Sequence, residues 1–257
     1  MKLKLTKTRM RFASFALLLV LLAAWELAVR AAGLSALVLP APSAVARALW
    51  MGLSTGYLWP HILATSLELL LGLAAGCVIG FASGVAMSES ALLQGLLKPY
   101  IVVSQVIPKL ALMPLFIVWF GFGMTSTVVI TALICFFPLM ENTVTSLQQV
   151  DPQRLELFRM LGATRRQTLL RLKLPTGLPG ILAGLRVAVV LALVGAVVGE
   201  FIGASQGLGA LIIASQGMMN TPLMFAVLVV IAVLGLALYQ ATLSLEKCLL
   251  APYTQTP

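Results

Sequence analysis

The sequence predicts an all-α, polytopic membrane protein, and three observations carry that class. Hydrophobic residues fill 60% of the 257 positions and charged residues only 10%, at a mean hydropathy of +1.05, where soluble domains run at roughly 45 to 50% apolar. Apolar runs of span length recur from end to end, each long enough to cross roughly 30 Å of hydrocarbon as a helix. The cations are not scattered. Of the 17 Lys and Arg against 8 Asp and Glu, net charge +9, one group (Lys2, Lys4, Lys7, Arg9, Arg11) precedes the first apolar run. Another (Arg154, Arg159, Arg165, Arg166, Arg171, Lys173) lies in a polar interval late in the chain. Clusters of this kind mark cytoplasmic segments by the positive-inside rule, and their placement argues against a nucleic-acid partner.

The first span is expected from Phe12 to about Ala32, with Glu26 and Arg30 near its far end. It is too long for a signal-peptide core and reads as retained. Leu39-Pro40-Ala41-Pro42-Ser43 punctuates the chain, and a short helix over Ala44 to Met51, capped by Ser43, follows on the outer side. His61 to Met87 is the second span. Its Gly72, Gly76, Gly80 and Gly84, at four-residue spacing, make one smooth face for close helix packing in lipid. After a polar turn at Ser88-Glu89, a third span from about Leu97 to Phe120 is expected to break at Pro108 and Pro114. Carbonyls freed by proline at membrane depth must be buried in protein or line a wet cavity, so this span is expected to face a pathway. Thr125 to about Ser146 is the fourth span with a kink at Pro138, Leu178 to about Ile202 the fifth, and Pro222 to Leu243 the sixth after a glycine-rich outer interval, Gly203 to Asn220. Six spans place both termini in the cytoplasm. The chain thus divides into a basic N-terminal segment (1–11), a six-span body (12–250) and a cytoplasmic tail (251–257). Cys77, Cys135 and Cys248 lack metal-ligand spacing and read as small core residues.

The polar interval Asp151 to Pro175 stands apart from everything around it. Asp151-Pro152 is a helix start, Gly162 ends that helix, and Thr164 with Gln167 three places on is a capping box for a second helix expected to stop by Pro175. Leu155, Phe158, Leu161, Leu169 and Leu172 recur at helical spacing and offer an apolar stripe to a docking partner.

Glu156, Leu157 and Phe158, then Gly162, then Leu172 and Leu174-Pro175 resemble the cytoplasmic coupling loop of ATP-binding-cassette importer permeases, with Leu157 and Phe158 standing where that pattern has two alanines. Further stretches are similar to the branch serving nitrate, sulfonates and taurine. They include the Leu39-to-Ser43 punctuation, Ile107-Pro108-Lys109-Leu110-Ala111-Leu112-Met113-Pro114-Leu115 leading to Trp119-Phe120-Gly121, Phe137-Pro138 with Asn142-Thr143, Gly184-Leu185-Arg186, Glu200, and Gly207-Leu208-Gly209. Glu68 and Gln105 stand where many such permeases carry Arg. The resemblance implies a type I importer permease with two coupling helices between spans four and five, in the cell's inner membrane, working as a homodimer. A cytoplasmic ATPase and an extracytoplasmic solute-binding protein are the implied partners. ATP would be bound by the ATPase, since no G-x-x-x-x-G-K-[ST] loop occurs in this chain. Neither a catalytic residue, a metal nor a cofactor of the chain's own is expected.

Glu156, Leu157, Phe158, Leu161, Gly162, Leu172 and Pro175 are the coupling residues implied by the resemblance. Pathway candidates follow from the cost of charge at membrane depth, a few kcal/mol or more. They are Lys109 between Pro108 and Pro114, Glu141, Arg186 and Glu200. The last two lie fourteen residues apart on one span, roughly 21 Å at 1.5 Å per residue, and each must find a partner on another helix. Three rival classes compete with this one. A serine-type intramembrane protease would need His61, the only histidine, to meet a serine such as Ser205. An ion-coupled secondary transporter would leave the polar hairpin unexplained, and a non-catalytic membrane scaffold would leave it without work. The solute is not legible from the residues.

Overall fold

The structure, a computed structural model, describes residues 7–251, and every described element is helical. The side chains of Lys2, Lys4, Lys7, Arg9 and Arg11 and the tail beyond Ala251 lie outside the described residues. The chain falls into two compact units: residues up to Trp59 with Leu211–Val230, and Pro60–Ala210 with the segment from Ile231 onward.

In the first unit, α1 (Lys7–Ala31) precedes α2 (Pro42–Ser54). Glu26 joins them: it accepts from Arg30 Nε at 2.7 Å, Ser43 N at 3.0 Å and Ser43 Oγ at 2.8 Å. This corrects the expected serine cap. The residue at the cap position is Ala41, and the free amide of Ser43 in the first turn is satisfied by a carboxylate from α1, a stronger acceptor than a hydroxyl.

The second unit is organised around α6 (Met124–Gln148), which lies between α3 (Trp59–Glu89) and α9 (Leu174–Gly203). All four ladder glycines of α3 are buried. A methyl group on Gly80 would sit 2.7 Å from the carbonyl oxygen of Phe136, and one on Gly84 2.7 Å from Thr143 Cβ. The smooth face therefore packs against the α6 backbone. On the opposite flank Gly184 and Gly199 of α9 close on Asn142 and Thr127. In hydrocarbon no hydrophobic force draws helices together, so this closeness is itself the cohesion.

Between these lie α4 (Ala91–Val106), a 3₁₀ turn (Lys109–Leu112) and α5 (Met113–Phe120). The chain bends by 85° between α4 and the segment Lys109–Phe120. The break falls at Ile107-Pro108, as expected, but Pro114 does not break anything. It occupies the first turn of α5, where its missing N–H would have no partner anyway. Pro175 likewise fails to stop a helix. α8 (Arg165–Thr168) runs through a widened π turn (Leu169–Lys173) into α9, so that Leu174 N bonds to Leu169 O, and the proline follows where the ladder has already changed register. Five described helices are long and apolar enough to cross a membrane, or six when the bent pair counts as one. The glycine-rich interval before the last of them, α11 (Thr221–Leu250), contains an apolar helix the sequence reading missed, α10 (Leu208–Gly217).

Candidate functional site

At one end of the second unit the chain forms a small exposed hairpin. Asp151 accepts from Gln153 N at 2.9 Å and starts α7 (Pro152–Met160); Gly162 at φ +69° reverses the chain; Thr164 and Gln167 make both bonds of the capping box, at 3.3 and 2.8 Å. Each piece is what the local residue order requires. The apolar stripe is not the one expected. Leu169 packs against the core and Leu172 is buried, because the helix bearing them continues into α9 and shares its inward face. Leu157, Met160 and Leu161, 54, 80 and 73% exposed, form the outward ridge at i, i+3, i+4 spacing. Met160 was overlooked, although that spacing could have found it. Phe158 is half-buried, and the exposed Glu156 lies 3.5 Å from Arg159. Lys173, at the end of the hairpin, is tied to Glu89 of α3 at 2.7 Å.

Near the middle of the unit the 85° break opens a cavity of about 580 Å³, lined by Gln105, Pro108, Lys109, Phe137, Glu141 and Asn142 among others. The Lys109 ammonium stands 4.4 Å from the centre of the Phe137 ring, a cation–π contact. Pro108, Lys109 and Glu141, three of the pathway candidates, thus line one cavity. Pro114, Arg186 and Glu200 lie elsewhere. Arg186 pairs with Glu246 of α11 at 3.3 Å, the link to another helix that the spacing argument required.

Glu200 finds a partner no local reading could supply. At the end away from the hairpin it is buried against Glu68 of α3, carboxyl to carboxyl, with the hydroxyls of Thr65 and Thr127 in contact. Glu200 Oε2 accepts from Gly209 N at 2.5 Å, Thr65 Oγ1 from Leu208 N at 2.7 Å, and His61 Nδ1 lies 3.0 Å from Gly207 O. His61 packs onto the Gly207-Leu208-Gly209 turn.

A bundle of spans with a polar break and an exposed docking hairpin defines a membrane transport subunit. The chain belongs to the family described as binding-protein-dependent transport system inner membrane components, whose model matches residues 72–247. It is 39% identical to the riboflavin transport system permease protein of Chloroflexus aurantiacus, over 90% of this chain and 87% of that one. It is 31% identical to the taurine transport system permease protein of Escherichia coli, over 91% and 87%. A solved inward-facing methionine ABC transporter shares the fold at a TM-score of 0.66 and 21% identity, over 75% of this chain and 95% of that one. The protein is accordingly a permease subunit of an ATP-binding-cassette importer for a small solute. It is not itself an enzyme: ATP hydrolysis belongs to a separate subunit, and a solute-binding protein completes the system.

Proposed function

We propose that the hairpin 151–175 is the surface through which ATP binding and hydrolysis in the partner ATPase move the spans of this permease. The observation that carries this reading is the exposed ridge of Leu157, Met160 and Leu161 on an otherwise charged hairpin, held rigid by two caps and one left-handed glycine. Three apolar side chains left in water are a docking face. Glu156 makes polar contacts at the rim of the ATPase groove, and Phe158 stiffens the ridge from behind. Leu172 and Pro175 act at one remove, carrying displacement of the hairpin into α9. For movement to be transmitted, the hairpin must bind the ATPase's two states with different free energy.

Two copies of the chain enclose the pathway, each contributing the broken segment with Pro108, Pro114, Lys109 and Glu141, while Arg186 and Glu200 fix helices around it. The hairpin and both termini face the cytoplasm, following the cations, and the subunit sits in the inner membrane. The solute falls within the range of the branch: nitrate, a sulfonate, taurine, or a vitamin or its precursor. An ion-coupled secondary transporter or a bare scaffold would give no work to the hairpin ridge.

Gly162→Asp tests the reading. The substitution adds a charge and a side chain at φ +69° beside the ridge. Copurification of the ATPase and ATP-driven uptake are expected to fall about tenfold or more, while the permease stays folded in detergent. Unchanged copurification and uptake would remove the hairpin from this role.

A further inference from the structure

The cavity at the 85° break holds two charges that have no ion-pair partner among the described residues. The ion pairs among the described residues are Arg30 with Glu26, Arg159 with Glu156, Lys173 with Glu89, and Arg186 with Glu246. Lys109 and Glu141 take part in none of them, and both line the same cavity. Lys109 is held over the face of Phe137, and Glu141 follows Phe137 by four residues on α6. Residues at that spacing share one helix face with their Cβ atoms roughly 5–6 Å apart, so Glu141 lies on the same face of α6 as the ring that holds the Lys109 ammonium. Asn142 adds to the negative side. Its amide nitrogen donates to Pro138 O at 2.7 Å, and its side-chain oxygen has no donor among the described residues. Apart from the polar Gln105, the rest of the lining, including Leu110, Ile134 and Leu191, is apolar.

Opposite charges that line one cavity without an ion-pair partner favour a solute that answers both of them. An anionic solute would satisfy Lys109 and be repelled by Glu141. A cationic one would meet the reverse. A neutral heteroaromatic would displace water from both charges and replace it with neither counter-charge nor strong donors. Resting on the reading of this segment as part of the solute pathway, we propose that the cavity is a transit site for a small zwitterion. Its anionic end lies against Lys109, its ammonium against Glu141 and the Asn142 oxygen, and its short carbon chain against the apolar wall. The site acts after release from the binding protein and discriminates on charge pattern within the membrane.

The test uses the assembled permease and ATPase in lipid nanodiscs without binding protein, titrated by calorimetry with four probes of similar size. These are β-alanine, propionate, propylamine and cytosine. β-Alanine is expected to bind about tenfold or more tightly than propionate or propylamine. Glu141→Gln should bring it down to the level of propionate, and Lys109→Gln to that of propylamine. The site is overturned if cytosine binds best, if all four bind alike, or if neither substitution changes the ranking. Were none of the probes to bind an assembly that still hydrolyses ATP, the transit site would fall and the importer reading would stand. An ATPase that never copurifies would bring down both.

Discussion

The two ends of the second unit are built on opposite plans. At the hairpin end, polar groups are satisfied within two or three residues: Asp151 by Gln153 N, Thr164 by Gln167 N, Gln167 by Thr164 N. At the far end they are satisfied across the whole chain, Leu208 N by Thr65 and Gly207 by His61, at sequence separations of 143 and 146. One end is exposed and assembled from its own sequence. The other is buried and exists only once α3, α6 and α9 have come together. A hairpin with the proposed coupling role would benefit from the first plan, which lets it move as a rigid piece. A seam that keeps α3 attached to the turn after α9 while the bundle moves needs the second.

The largest effect separating the two ends should come from Glu200→Ala. It strips the acceptor from Gly209 N and leaves Glu68 buried without its partner. A loss of roughly 3 kcal/mol, the cost of orphaning buried polar groups, is expected. It should be read as a lowered melting temperature in detergent and as fast amide exchange over 203–210, with exchange over 151–165 unchanged. Equal loosening at both ends would show that the contrast is false. Thr164→Ala should cost about 1 kcal/mol, the usual value of a capping residue. Its exchange signature should stay within the hairpin, and spread into α3 would break the comparison from the other side. The smallest effect belongs to Glu68→Gln, which keeps a polar group of the same shape facing Glu200 while removing one carboxyl group from the buried pair. Melting should move by less than about 1 kcal/mol equivalent. A large destabilisation would mean that the Glu68 carboxyl itself, and not its shape, holds this end together.

This contrast also explains what was legible beforehand. The α3 glycine ladder, the Pro108 break, the Asp151 and Thr164 caps and the Gly162 turn all follow from rules that operate within one or two helical turns, and each lies where those rules place it. The errors came from the same rules applied where context overrides them. Pro114 and Pro175 were read as breaks, but one sits in a first turn and the other behind a π turn. Ser43 was read as a cap, but a carboxylate on α1 outcompetes it. Leu172 is expected on the stripe offered to a docking partner, yet it faces the core because α8 does not end where a proline suggested.

Composition and the spacing of glycine, proline and charge determined by themselves that the chain is a helical membrane protein with a polar hairpin, because hydrophobic run length and backbone chemistry are local properties. Tertiary structure alone decided which apolar residues of the hairpin face outward, that Glu68 meets Glu200, and that Lys109 and Glu141 share a cavity without pairing. Those outcomes depend on how distant helices are rotated against one another, and the packed surface of α6, not any neighbouring residue, sets that rotation.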